Sequence, residues 1–339
     1  MNKTSIREDN IELLRILCCL MVLVFHVVNT CIDLNRYSLA KKLIIGEILY
    51  GGGRTAVNVF VIIGAWFLCD SKFSIKRIKK LFFCNFVYQF AIGLFFVLNG
   101  QAGMIWFCKH LFSITTNQVW FISAYLVLLI ITPLLNEALK YENSAPILFV
   151  LFILFCFIPT FYPRCSYQIT DMAWFAVLYL FTGCLKYHRM KILDNMFVLS
   201  VLFLISWTIP VAWFMLYEQF SGHTIEILNI FGLTKNIYFA RLNTIPALTA
   251  AFTLFFIFRK INIKSEKATK VINFISATTL DIYIIFSSNS PQKKLWWIDI
   301  LNLHNIDSMC DVYILVISAF IVGFFVGRLR MFAQKKLSL

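Results

Sequence analysis

The chain has 339 residues, 60% hydrophobic and only 14% charged, with a formal net charge of +14. A soluble domain carries about a quarter charged residues, so there is too little polar surface here to coat a water-soluble globule, and lipid is the natural solvent. The positive charge lies in short clusters between apolar runs, a pattern of membrane topology and not of a nucleic-acid-binding face, and attraction to anionic head groups follows from it.

Taken in chain order, apolar runs long enough to suggest spans occupy 11–33, 48–69, 81–99, 119–139, 146–162, 171–187, 196–217, 240–258, 271–290 and 310–330. The expected fold is an all-α, polytopic transmembrane helical bundle of about ten spans, one domain over residues 1–339. No tandem repeat, low-complexity tract or long linker divides it. Ten spans place both termini on one side. The loops of that side hold 20 Lys and Arg against 10 on the other, which predicts cytoplasmic termini. Asp9 and Glu12 break the basic region that a cleavable signal peptide needs, so none is expected.

The first span carries Glu12, Arg15 and His26. Arg15 and His26 are eleven residues apart, which returns them to nearly the same helix face, about 16 Å apart along the axis. Glu12 is three residues before Arg15 and can pair with it. Ionisable groups at membrane depth are costly and usually face the bundle interior or a wet cavity. Snorkelling of Arg15 to phosphates and a neutral, hydrogen-bonded His26 are the plainer readings, but a shared face favours one cavity. In the second region Gly51, Gly52 and Gly53 lead into Arg54 and Asn58, which lie one turn apart on one face.

Elsewhere the signals are weaker. Lys76, Arg77, Lys79 and Lys80 read as ordinary inner-side charge. The ten cysteines show no CxxC pair and read as small buried hydrophobes, with a Cys108–Cys165 loop disulfide unsupported. His110, His188, His223 and His304 have no metal-ligand spacing and read as surface residues, so no metal is expected. Residues 218–239 read as a long solvated outer loop. Trp296 and Trp297 fit an interfacial aromatic belt. Asp281, in a polar span, is a candidate buried hydrogen-bond partner, and Tyr283 points elsewhere on that helix.

Glu12, Arg15 and His26 resemble the opening signature of the acyltransferase 3 family of integral membrane proteins. Arg54, Val57, Asn58, Phe60, Gly64, Trp66, Phe67 and Leu68 resemble its second signature. Looser likenesses follow at Trp120, Phe121, Tyr125 and Pro133 to Asn136, and at Thr278 to Phe286. There Asp281 replaces a common glycine and Phe286 a common histidine.

The resemblance implies transfer of an acyl group, acetyl foremost, from acyl-CoA to a hydroxyl of a cell-surface polysaccharide or lipid-linked sugar. It implies a multi-pass protein of the bacterial inner membrane, with acyl-CoA as donor substrate and no bound cofactor. Membrane lipids and a carbohydrate are the expected partners, and nucleic acid is not. His26 is the expected base, because imidazole titrates near neutrality. Arg15 would hold phosphate or pantetheine groups of the donor. Glu12, Arg54, Asn58 and Trp120 are the expected substrate-binding residues. A secondary transporter or flippase, or a non-catalytic family member suggested by Phe286, would also place ionisable groups at depth.

Overall fold

The computed structural model describes residues 8–32, 38, 41–42, 44–45, 52–116, 118–141, 144–162, 170–188, 190–220, 239, 241–286, 296–297 and 308–336. No strand occurs among the described residues. In chain order the helices are α1 (Asp9–Cys31), α2 (Gly53–Leu68), α3 (Ile75–Leu98), α4 (Met104–Leu111), α5 (Trp120–Leu139), α6 (Ser144–Phe152), α7 (Asp171–Tyr187), α8 (Met196–Phe220), α9 (Ile245–Arg259), α10 (Glu266–Ser276), α11 (Thr279–Phe286) and α12 (Met309–Lys336). A π-helical turn at Ile153–Phe157 carries α6 into a last turn at Ile158–Phe161.

Local chemistry sets several of these boundaries. Asp9 and Glu12 place negative charge in the first turn of α1, against the positive end of its dipole. The hydroxyls of Thr170 and Ser265 each accept a hydrogen bond, at 3.3 Å, from the backbone N–H three residues on, capping α7 and α10. Pro246 enters α9 in its first turn, where its missing N–H costs nothing. The π turn in α6 is also used: the Phe155 carbonyl accepts from Asn243 Nδ2 at 3.2 Å.

Six stretches are long and apolar enough to cross a membrane: Asp9–Cys31, Ile75–Leu98, Trp120–Leu139, Met196–Tyr217, Glu266–Phe286 and Met309–Lys336. All ten expected segments fall on helices where they are described, but the second, fifth, sixth and eighth fall on shorter ones. These are 16 residues in α2, 17 in α7 and 15 in α9, with α6 interrupted by its π turn. A span needs about 20 residues, and six stretches of that length stand among the described residues, with the expected count of ten not reproduced by helix length there. Hydropathy counted apolar residues whatever shape they fold into; Cys69, for example, lies past the end of α2.

Two helices organise the bundle. The second, α2, lies against α1, α7 and α9. It buries Ala56, Val59, Ile62, Ile63 and Ala65, as its run without charge after Arg54 demands. The first, α1, touches α2, α9, α10, α11 and α12. On the outside, Phe82, Phe83, Phe86 and Phe90 of α3, and Ile314, Ile317, Ile321 and Phe325 of α12, remain exposed, a surface suited to lipid. Lipid tails are as apolar as these side chains, so such helices associate through close packing and interhelical hydrogen bonds.

Candidate functional site

The N-terminal end of α1 is tied down by polar contacts. Asp9 accepts from Thr269 Oγ1 and Asn273 Nδ2 of α10, each at 2.8 Å, and Asn10 Nδ2 donates to the Arg259 carbonyl at 3.2 Å. Three residues on, Arg15 Nη1 pairs with Glu12 Oε1 at 2.8 Å. The Glu12 side chain is 6% exposed and that of Arg15 33%, so the pair has one buried and one wet member.

This pair forms part of the wall of a cavity of about 310 Å³. The remaining lining comes from α1 at Val22, α2 at Val57, Phe60, Ile63 and Gly64, α3 at Leu81, α5 at Phe121, Ile122 and Tyr125, and the α10–α11 region at Ser276, Ala277, Thr279, Leu280 and Tyr283. The aromatic wall is ordered. Phe121 stacks on Tyr125 with centroids 5.7 Å apart, and Tyr283 meets Phe121 edge-on at 5.5 Å. Gly64 makes room for Tyr125: a Cβ there would stand 2.2 Å from the phenol oxygen. The cavity is thus polar at one end, through Glu12 and Arg15, and apolar and aromatic deeper in.

The other expected site residues lie elsewhere. His26 is nearly buried and sits one turn beyond Val22, the last α1 residue on the cavity wall. Arg15 and His26 therefore share a helix face, but the cavity reaches only Arg15. Arg54, in the first turn of α2, carries its charge close enough to Asp171 of α7 to interact with it. Asn58 is fully buried and uses both ends of its amide on the scaffold. It donates to the Leu242 carbonyl at 2.8 Å and accepts from Trp174 Nε1 at 3.0 Å. Instead of facing the cavity, it ties α2 to α7 and to the segment before α9. Trp120 packs edge-on against Phe121 at 6.1 Å and tilts over Phe175 at 6.2 Å, outside the cavity lining.

At the other end of α2, Trp66 lies under two cations, with the Arg259 guanidinium 4.1 Å and the Lys186 ammonium 5.1 Å from its ring centre. Lys186 also bonds the Trp66 carbonyl and pairs with Asp70. Burial alone would raise the Asp70 carboxyl, but hydrogen bonds from Lys186 and Tyr187, with the Lys186 charge, outweigh it and hold the carboxyl below its usual range.

Residues 8–328 match the sequence model of the acyltransferase 3 family, described as an acyltransferase domain. The chain belongs to the acyltransferase 3 family. With its helices of spanning length, it is a multi-pass membrane acyltransferase. No curated protein and no solved structure matches the chain.

Against the acyltransferase 3 pattern, both departures in the late element have partners here. Asp281 is fully buried, as its candidacy for a hydrogen-bond partner required. It accepts from Tyr88 Oη at 2.8 Å and from Arg330 Nε at 2.5 Å and Nη2 at 3.1 Å. Phe286 lies 5.5 Å from the Trp297 ring and 6.2 Å from that of Trp296. Trp297 is 1% exposed, and Trp296 stacks on Phe95 at 5.7 Å. Trp297 is thus seated in a packed aromatic cluster with Phe286 and not at a lipid-facing surface, while half-buried Trp296 lies against Phe95 and Phe96.

His110 is likewise corrected: it is fully buried and stacked on Trp106 at 3.5 Å, not at the surface. His188 is exposed, as expected, while His223, His304 and most of 218–239 lie outside the described residues. Among the described cysteines, Cys18, Cys19, Cys31, Cys69, Cys84 and Cys156 are buried, Cys184 is half-buried and Cys108 and Cys310 are exposed. Cys165 lies outside the described residues.

Tyr125 and Tyr283, both in motifs named above, line the cavity, yet neither residue type advertises a cavity in an aromatic-rich chain.

Proposed function

We propose that this membrane acyltransferase moves a short acyl group, acetyl foremost, from acyl-CoA to a hydroxyl of a cell-surface polysaccharide or lipid-linked sugar. The proposed setting is the bacterial inner membrane, with the donor arriving from the cytoplasm. The observation that carries the reading is a cavity walled by the Glu12–Arg15 pair together with apolar and aromatic side chains. A guanidinium fork suits the donor's phosphates, and an apolar channel suits the slim pantetheine arm. At about 310 Å³ the space is at the small end of ligand sites, which favours a short acyl group over a long chain.

The reaction needs a base for the hydroxyl proton and a donor for the oxyanion. The hydroxyl oxygen bonds to the thioester carbon while the carbonyl electron pair moves onto oxygen. Collapse then breaks the C–S bond, and the thiolate leaves with the proton that the base has taken. His26 is the proposed base. It lies one turn past Val22, the last α1 residue on the cavity wall. Arg54, beside Asp171, and Trp120 are the proposed acceptor-binding residues. Asn58 acts by holding α2 in place.

Acyl transfer from radiolabelled acetyl-CoA, in membranes carrying His26→Ala at normal protein level, tests this. The expected loss is about 10²-fold or more. Undiminished transfer removes His26, and transport of a lipid-linked sugar without acylation replaces the whole reading.

A further inference from the structure

We infer that the exposed face of α10, together with Arg328 of α12, is a binding site for an anionic phospholipid of the leaflet at that end of the bundle. The site lies on a different surface from the cavity and does not depend on the acyl-transfer reading.

Helical period and exposure place it. Lys267, Lys270, Val271 and Phe274 of α10 fall within an arc of about 100° on one helix face. All four are exposed, Val271 at 55% and Phe274 at 48%. The opposite face carries Thr269 and Asn273, which bond Asp9 of α1, so the stripe is the side turned away from the bundle. From α12, Arg328 lays its guanidinium 3.8 Å from the centre of the Phe274 ring, and Phe324, one turn earlier, meets the same ring edge-on at 5.4 Å. Arg330, two residues on, turns the other way to Asp281. Among the described residues, no carboxylate pairs with Lys267, Lys270 or Arg328.

Three cations without a counter-ion thus border one apolar strip. The span of which α10 is the first part starts at Glu266, so Lys267 and Lys270 stand about 10 Å and 6 Å nearer its end than Phe274. That order is the order of a phospholipid, with its phosphate at the lysines and its chains along Val271 and Phe274. A guanidinium fork takes two phosphate oxygens, and one already held over a ring is partly ordered before the lipid arrives. Basic residues at the membrane surface attract anionic lipid, each adding to the pull. A free phosphate has no use for the apolar half of the surface.

The test is the full chain in detergent, titrated with phosphatidylglycerol, phosphatidylcholine or inorganic phosphate. Native mass spectrometry counts bound lipid, and thermal unfolding is followed alongside. Phosphatidylglycerol is expected to stay bound and to raise the melting temperature, because it binds the folded state. Phosphatidylcholine and phosphate are expected to do neither. Lys267→Gln with Lys270→Gln and Arg328→Gln should lose about 10²-fold in phosphatidylglycerol affinity, while melting like wild type in phosphatidylcholine. The control, Lys76→Gln with Lys79→Gln and Lys80→Gln, removes as much exposed charge from α3 and should keep the affinity. Equal loss in the two triple variants overturns the inference, since diffuse charge would then do the binding. So do unchanged affinity in the first, equal retention of phosphatidylcholine, a shift with phosphate as large as with lipid, or no phosphatidylglycerol bound by wild type. If the first triple variant does not fold, Lys267→Gln with Lys270→Gln alone decides, with a loss of about 10-fold expected.

Discussion

At the scale of single residues, the cavity depends on one missing methyl group. Gly64 lets Tyr125 lay its phenol oxygen against α2, where a Cβ would come within 2.2 Å of that oxygen and 3.1 Å of Cζ. Gly64→Ala must therefore push Tyr125 toward Phe121, against which it stacks, and narrow the cavity between α1 and α5. Overpacking of this kind costs about 1–3 kcal/mol. Thermal unfolding in detergent should register that loss, with acyl transfer reduced as well. Adding Tyr125→Phe removes the atom that clashes first and should recover part of the stability. Failure of the double variant to recover any would place the strain elsewhere.

At the scale of elements, the late helices are held by charge in place of the usual small residue. Asp281 of α11 is fully buried between Arg330 of α12 and Tyr88 of α3. Arg330 uses two of its nitrogens on the carboxylate and passes Nη1 to Gln334 Oε1 at 2.6 Å. Gly327 completes the fit, since a Cβ there would meet both Asp281 Cβ and Oδ2 at 3.0 Å. The bond thus staples α11 to α12 and α3 behind the cavity wall that α11 supplies through Leu280 and Tyr283. Breaking a buried pair from one side leaves an uncompensated charge and costs about 3–5 kcal/mol. Arg330→Met should lower the melting temperature sharply. Arg330→Met with Asp281→Leu should lose much less, because it removes both charges. Equal losses in the single and double variants would mean that the pair is not what the helices depend on.

For the molecule as a whole, the donor's route depends on which way the bundle is inserted. The loop charges predict both termini in the cytoplasm, which puts the Glu12–Arg15 end of the cavity, close to the chain's start, on the side where the proposed acyl-CoA donor would be available. A fluorescent protein fused to the C-terminus should therefore mature and fluoresce, and alkaline phosphatase fused at the same point should be inactive. The reverse result would turn that end outward and remove a cytoplasmic thioester as the donor. With both termini cytoplasmic, His26 and Arg54 would lie toward the far side of the membrane, away from the chain's start.

Composition and period alone determined that this chain lives in lipid, that it is helical, and that Glu12, Arg15 and His26 share a face. Those properties follow from local rules: charge scarcity, run length and 100° per residue. The pairing of Glu12 with Arg15 and the burial of Asp281 were legible for the same reason. Which of those groups meet was not, because that depends on how distant helices pack. Only the tertiary structure separated Asn58, bonded to Trp174, from the cavity, brought Tyr283 of α11 beside Phe121 of α5, and ended the cavity one turn short of His26. Hydropathy treats every apolar residue alike, and it takes three-dimensional packing to decide which aromatic side chains fill a core and which wall a cavity.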